Sequence, residues 1–291
     1  MKREFKIQKE DTLLNYLFEA DLPYSRSKIK SLLKHNCVSI NSEATTQFDD
    51  PIYPGDVVVV LPHNRSLDTP LNIIYEDNNL IVIDKPYGLL TIATDKNEDI
   101  TAYKLASAYV KQENPKNKIF VVHRLDRDTS GVLMFAKNKK TQDQFQKNWN
   151  QNVQDRNYIA IVEGVMRKDA DTIESFLQEN KTTHMYSTHE GLKAITHYKV
   201  VRRMKENTVV SIRLDTGRKN QIRVHMLDIG HPIVGDRKYN AKTNPLKRMG
   251  LHAYRLKITN PITEKTFDFV APLPRNFIRF TKVTPNQLEN S

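Results

Sequence analysis

The sequence predicts an α+β fold with a mostly antiparallel sheet, preceded by a small α/β module. Three observations predict it. The chain has 291 residues, too many for one small domain and suited to a large domain plus an appended unit. Short apolar runs joined by turns recur along residues 71–283. Segments with helical spacing are few and interspersed among those runs.

The module comes first, in residues 11–61 of a unit that spans 1–62. Asp11 is placed to cap a helix carrying Leu13, Leu14, Leu17 and Phe18, and Pro23 ends that unit. Ser25 is placed to cap a second helix over residues 26–35, with Ile29, Leu32 and Leu33 on its apolar face. Arg26, Lys30 and Lys34 recur every four residues and form a basic stripe beside that face. Such a stripe is ordinarily a solvated face; on a chain of formal net charge +11 it is also a candidate for phosphate contacts. A strand from Val38 to Asn41, a turn at Pro54-Gly55-Asp56 and a strand from Val57 to Leu61 complete the module.

Residues 63–70 form a polar connector, residues 71–283 the main domain and residues 284–291 a loose C-terminal tail. In the main domain the strands are Ile73–Tyr75, Leu80–Ile83, Ile119–Val122, Val132–Ala136, Tyr158–Val162, Ala194–Val201, Val209–Leu214, Leu256–Ile258 and Phe267–Val270. The helices are Thr101–Gln112, Thr141–Asn150 and Asn220–Leu227. No stretch approaches the ~18 consecutive apolar residues of a membrane span. The first residues, Met1-Lys2-Arg3-Glu4-Phe5, lack the apolar core of a signal peptide. Cys37 is the single cysteine, which excludes an intrachain disulfide and a cysteine-rich zinc site. These features point to a cytoplasmic chain that binds neither metal nor membrane.

Chemistry concentrates in His123-Arg124-Leu125-Asp126-Arg127-Asp128-Thr129-Ser130-Gly131. Apolar strands lead into and out of this run, so polar groups crowd at the ends of buried elements, as rigid active sites require. The plain alternative is a charged hairpin turn, and spacing does not choose between Asp126 and Asp128. A second run, Thr216 to His225, leaves a strand and opens a helix with Arg218 and Lys219 beside its N-terminus. That helix start can hold an anion, its arginine can pair with a carboxylate of the first run, or it is an ordinary basic turn. Lys85-Pro86-Tyr87-Gly88 marks a tight turn, and Tyr158, on an alternating strand, ordinarily belongs to the core. No glycine-rich dinucleotide fingerprint or phosphate loop occurs, so no cofactor is expected.

Together these runs resemble the RluA-type pseudouridine synthases. The family motif His-Arg-Leu-Asp-x-x-Thr-Ser-Gly is complete at 123–131. Lys85-Pro86-x-Gly88, the Tyr158 strand, Gly217-Arg218, Gln221-Ile222-Arg223 and Leu251-His252-Ala253 follow the family order. The Ser25-Arg26-Ser27, Val38-x-Ile40-Asn41 and Pro54-Gly55-Asp56 order resembles the RNA-binding module of small-subunit ribosomal protein four. Two positions depart from the patterns: Ser42 stands where that module commonly has Gly, and Asn220 where the family usually has His.

The resemblance implies a cofactor-free isomerase that breaks the uridine glycosidic bond, turns the uracil and rejoins it through carbon 5. It assigns the carboxylate to Asp126, as a nucleophile or as the base that gives a glycal. Arg223 is the implied partner, in a bidentate pair that keeps a carboxylate charged where water is scarce. Tyr158 is implied to stack on the uracil; a phenol is a poor base near neutral pH. Arg124 is implied to fill the space left when the base flips out. His123, with no cysteines or second spaced histidine nearby, reads as structural. The implied partner is RNA, ribosomal RNA ahead of transfer RNA, acted on by a monomer. The competing readings are a non-catalytic RNA-binding ribosome-assembly factor, and an RNA N-glycosidase or nuclease using the same carboxylate.

Overall fold

The computed structural model describes residues 3–34, 37–41, 43–45, 47–61, 71–93 and 100–289. Contacts divide the chain into two units, Met1–Lys147 and Asn148–Ser291. The expected connector at 63–70 and the atypical Ser42 lie outside the described residues, as does the Lys34 side chain.

The first unit begins with β1 (Arg3–Lys6), β2 (Asp11–Thr12), α1 (Leu13–Glu19), α2 (Arg26–Lys34), β3 (Val38–Ile40), β4 (Glu43–Ala44), β5 (Pro51–Ile52) and β6 (Val57–Val60). Leu13, Leu17, Ile29, Leu32 and Leu33 are buried on the two helices and pack with Val38, Val58 and Val60. The helical spacing of the apolar residues therefore places one face of each helix on a small sheet of order β1-β6-β3-β4. Ser25 caps α2 as expected, its Oγ accepting from Lys28 N at 3.3 Å. Asp11 does not cap α1: its carboxylate accepts from Thr12 N at 2.6 Å, and Asp11–Thr12 pair with Pro51–Ile52. Asn41 and Asp56 sew the module shut. Asn41 Nδ2 donates to Asp56 Oδ1 at 2.9 Å, while Asn41 Oδ1 accepts from Val57 N at 2.8 Å.

The same unit continues through β7 (Asn72–Glu76), β8 (Leu80–Lys85), α3 (Ala102–Glu113), β9 (Phe120–Val121), β10 (Ser130–Ala136) and α4 (Lys139–Lys147). β8 lies between β7 and β10, and β9 pairs with β10. Leu80–Ile83 and Leu133–Ala136 are fully buried, which explains why both strands are unbroken apolar runs. Each of these side chains larger than alanine contributes ~1.5–3 kcal/mol of hydrophobic stabilisation. Thr101 caps α3, accepting from Lys104 N at 3.2 Å.

The second unit comprises α5 (Trp149–Asn152), β11 (Val153–Glu163), β12 (Ala170–Glu179), β13 (Met185–Thr188), β14 (Leu192–Arg203), β15 (Asn207–Leu214), α6 (Gln221–Asp228), β16 (Leu251–Thr259), β17 (Thr266–Val270), α7 (Arg275–Thr281) and α8 (Pro285–Glu289). Its strands run β13-β12-β14-β15-β11-β16, with β17 on β16, and these pairings are antiparallel. The expected helix over Thr141–Asn150 is split into α4 and α5 at Asn148, whose backbone leaves the helical region. The expected loose tail is a correction: α8 is a helix, and Val283 and Leu288 are buried against Phe277 and Leu273. Among the described residues no helix is long and apolar enough to cross a membrane.

Candidate active site

The register of β8 on β10 sets Gly131 opposite Lys85, so the 123–131 run and the Lys85-Pro86-Tyr87-Gly88 turn leave adjacent strands together. Lys85 is fully buried. Its ammonium donates to the carbonyls of Pro86 at 3.0 Å, Leu89 at 2.7 Å and Arg127 at 3.0 Å. Gly88 N donates to the same Arg127 carbonyl at 3.0 Å. On the other side of Asp126, Leu125 and buried Thr91 exchange two hydrogen bonds, Thr91 Oγ1 to Leu125 O at 2.7 Å and Leu125 N to Thr91 Oγ1 at 3.1 Å. The backbone of both neighbours of Asp126 is thus tied to the buried side chains of Thr91 and Lys85. The carboxylate itself is half-buried, and Arg124 is exposed. Such a loop holds a reactive group in one direction without ordering cost at each encounter.

His123 supports this loop. Its Nε2 accepts from Met134 N at 3.0 Å, so that nitrogen carries no proton and ties the run to β10.

In the second unit, Arg223 projects from α6 into a cage. Its Nε donates to Asp236 Oδ2 and its Nη2 to Asp236 Oδ1, both at 2.7 Å. Nη1 donates to Asn220 Oδ1 at 3.2 Å, and the guanidinium lies 4.7 Å from the Tyr239 ring centroid. Asn220 Nδ2 donates to Tyr239 Oη at 2.9 Å, and Tyr239 Oη also accepts from Met185 N at 3.2 Å. Burial pushes the Tyr239 phenol above its ordinary range, so it stays protonated. The bidentate partner of Arg223 within its own unit is Asp236, a residue that sequence reasoning missed. A second carboxylate would have to use the end-on edge formed by Nη1 and Nη2.

The cage also explains Asn220. The residue adopts a left-handed backbone with φ of +53°, which Asn tolerates better than most side chains. α6 accordingly opens at Gln221, one residue later than expected. Asp236 follows Gly235, whose φ is +77° and where a Cβ would stand 2.4 Å from the Arg248 carbonyl, so only glycine admits the turn. The sequence signal was present in His231-Pro232-Ile233-Val234-Gly235-Asp236, an apolar run punctuated by Pro and Gly and ended by a carboxylate.

Arg218 is half-buried, its Nε donating to Lys193 O at 3.0 Å. Its backbone N–H goes to Gln221 Oε1 at 3.0 Å, which takes one donor from the anion-binding reading of this helix start. Gly217 accommodates Arg156: a Cβ there would lie 2.5 Å from an Arg156 nitrogen. Tyr158 pairs with Ile212 on β15 and Ala253 on β16, beside an irregularity in the β16 pairing, and is half-buried rather than a full core residue. Irregularities of this kind re-aim side chains next to active sites. His225 is buried between Thr196 Oγ1 at 2.9 Å and Ser175 Oγ at 3.0 Å, and burial holds its pKa below the usual range. His252 is likewise buried and lowered to about 3, chiefly by desolvation. In the N-terminal module Arg26 and Lys30 are exposed, with Arg26 4.9 Å over the Phe18 ring. Among the described residues no group of three or more His, Cys, Asp or Glu could hold a metal ion.

The first unit carries a carboxylate on a doubly anchored loop and the second a caged arginine, each on an antiparallel α+β scaffold. The sequence signature of the RNA pseudouridylate synthases matches residues 79–228, just over half the chain and the stretch that carries both runs. The chain belongs to that family and is an isomerase of uridines in RNA. It is 34% identical over 290 residues to "Ribosomal large subunit pseudouridine synthase D" of Buchnera aphidicola subsp. Acyrthosiphon pisum, covering 92% of each chain. It is 33% identical over 281 residues to "Uncharacterized RNA pseudouridine synthase YlyB" of Bacillus subtilis, again covering 92% of each. Among solved structures, "Human RNA Pseudouridylate Synthase Domain Containing 4" superposes with a TM-score of 0.60 at 25% identity, over 71% of this chain and 90% of that one.

Proposed function

We propose that this chain isomerises uridine to pseudouridine in large-subunit ribosomal RNA, with Asp126 as the catalytic carboxylate. The substrate class rests on the relatives named for the large ribosomal subunit. The assignment of Asp126 over Asp128 rests on its place in the motif His123-Arg124-Leu125-Asp126; the ties of Leu125 to Thr91 and of Arg127 to Lys85 and Gly88 are the single structural observation that supports a rigid carboxylate there.

In this reading the target uridine flips out of the RNA at a cost of a few kcal/mol, and the exposed Arg124 takes its place in the stack. Asp126 either adds to the anomeric carbon or removes a sugar proton to give a glycal; in both cases uracil detaches, turns and rejoins through carbon 5, Asp126 is released or returns its proton to the sugar, carbon 5 loses its proton and N1 gains one. Arg223, held by Asp236, Asn220 and Tyr239, is the arginine that the family resemblance pairs with the carboxylate. Tyr158 packs on the uracil. Residues 1–62 act as an RNA-binding module whose Arg26, Lys30 and Lys34, with Arg218 of the main domain at 71–283, contact phosphates. The protein acts as a monomer in the cytoplasm, where ribosomal RNA is modified.

The test is the pseudouridine content of large-subunit ribosomal RNA from a strain lacking the gene, before and after the purified protein is added. At least one uridine is expected to convert. RNA that gains no pseudouridine contradicts the reading.

A further inference from the structure

A cleft of about 540 Å³ opens inside the first unit, where helices of the N-terminal module meet the turns beside Asp126. Leu14 and Leu33 form its apolar floor, Phe48 and Tyr87 supply aromatic faces, and Lys30 and Arg127 supply cations. Its volume falls within the ~300–1,000 Å³ of pockets that hold small organic groups. Phe48 is 57% exposed, although a large aromatic gains from burial. Lys30 and Arg127 are exposed as well. Aromatic faces beside cations are what an unpaired nucleotide requires: a surface for its base and a charge for its phosphate. Asp128 lines the same cleft, and a carboxylate accepts from base N–H groups while repelling phosphate. The phosphate is therefore set on the Lys30 and Arg127 side.

We infer that this cleft binds one unpaired nucleotide of the substrate RNA, next to the target uridine, with its base against Phe48 and Tyr87 and its phosphate against Lys30 and Arg127. The inference rests on the proposed RNA reading. Arg127 and Asp128 follow Asp126 directly, so an RNA strand delivering a uridine to Asp126 passes this opening. The N-terminal module then does more than add charge. It supplies one wall of a site for a flanking nucleotide and makes the enzyme select targets with an unpaired neighbour.

The experiment uses the full chain and a short single-stranded oligouridylate carrying 5-iodouridine, irradiated and mapped by mass spectrometry. Crosslinks are expected on the peptides bearing Phe48 or Tyr87. Phe48→Ala, at an exposed position where folding is not at stake, should weaken affinity for the same RNA about tenfold. Lys30→Gln should reduce the slope of log affinity against log salt by about 0.7, one phosphate on a single strand. Crosslinks confined to other peptides overturn the inference. So does unchanged affinity in Phe48→Ala. Pseudouridine formation by the same preparations is scored separately. Turnover without these crosslinks leaves the proposed function standing and removes the cleft. The crosslinks without turnover on any RNA keep the cleft and remove the proposed function.

Discussion

The Arg223–Asp236 pair is the point at which stability and function can be separated. The two side chains are 10% and 2% exposed, so solvent screens their interaction little. Asp236→Ala removes both 2.7 Å hydrogen bonds from the buried guanidinium and the carboxylate charge beside it. Hydrogen bonds to charged groups contribute about 1.5–3 kcal/mol each, which gives roughly 3–6 kcal/mol for two. Breaking a buried pair by removing one partner costs about 3–5 kcal/mol, in agreement. Denaturant unfolding should therefore show a loss of about 4 kcal/mol, and thermal unfolding a fall of about 10 °C. The double variant Arg223→Met/Asp236→Leu replaces the pair with apolar volume and should regain most of that stability. It should stay inactive, because the arginine is gone. A loss below about 1 kcal/mol in Asp236→Ala would refute the view that Asp236 holds Arg223. Full activity in the double variant would refute a catalytic role for Arg223.

Two further predictions follow from buried groups. Lys85→Met takes the ammonium from the carbonyls of Pro86, Leu89 and Arg127, the last of which keeps only Gly88 N, and loosens the backbone beside Asp126; kcat should fall at least tenfold with little change in RNA affinity, and unchanged kcat would mean that the anchor does not position the loop. His252 has a pKa lowered to about 3 by burial, against ~6.5 in an unfolded chain. A lowered histidine adds stability that is complete above about pH 6.5 and is lost as pH falls toward 3. At pH 5 the loss from this residue is about 2 kcal/mol. Urea unfolding at pH 7.5 and 5 should show this difference relative to a His252→Gln variant, and equal pH dependence of the two proteins would contradict it.

The elements legible in the sequence are those whose burial imposes a pattern. β8 and β10 are buried on both sides and read as unbroken apolar runs, and α2 carries Ile29, Leu32 and Leu33 on one face. β12 was not legible because most of Ala170–Glu179 is exposed or half-exposed, so its side chains owe little to hydrophobic alternation. β1 was hidden for the same reason: three of its four residues are exposed. In the candidate site the chemistry-bearing run at 123–131 was visible because polar groups interrupt apolar strands. The hold on Asp126's neighbours was not visible, because it passes through backbone carbonyls and the buried amine of Lys85. The Arg223 cage was missed because Asp236 and Tyr239 lie beyond α6, and folding, not spacing, brings them to the guanidinium. Asn220 read as a departure from a family pattern. Its two hydrogen bonds show that an amide at that position can link the arginine to the tyrosine.

The central claim is that Asp126 carries the reaction. The most direct measurement incubates purified Asp126→Asn protein with ribosomal RNA from a strain lacking the gene, and reads pseudouridine together with RNA affinity. The substitution keeps the side chain's shape, so affinity should stay within about twofold of wild type while pseudouridine formation disappears. Turnover near the wild-type rate would contradict the account.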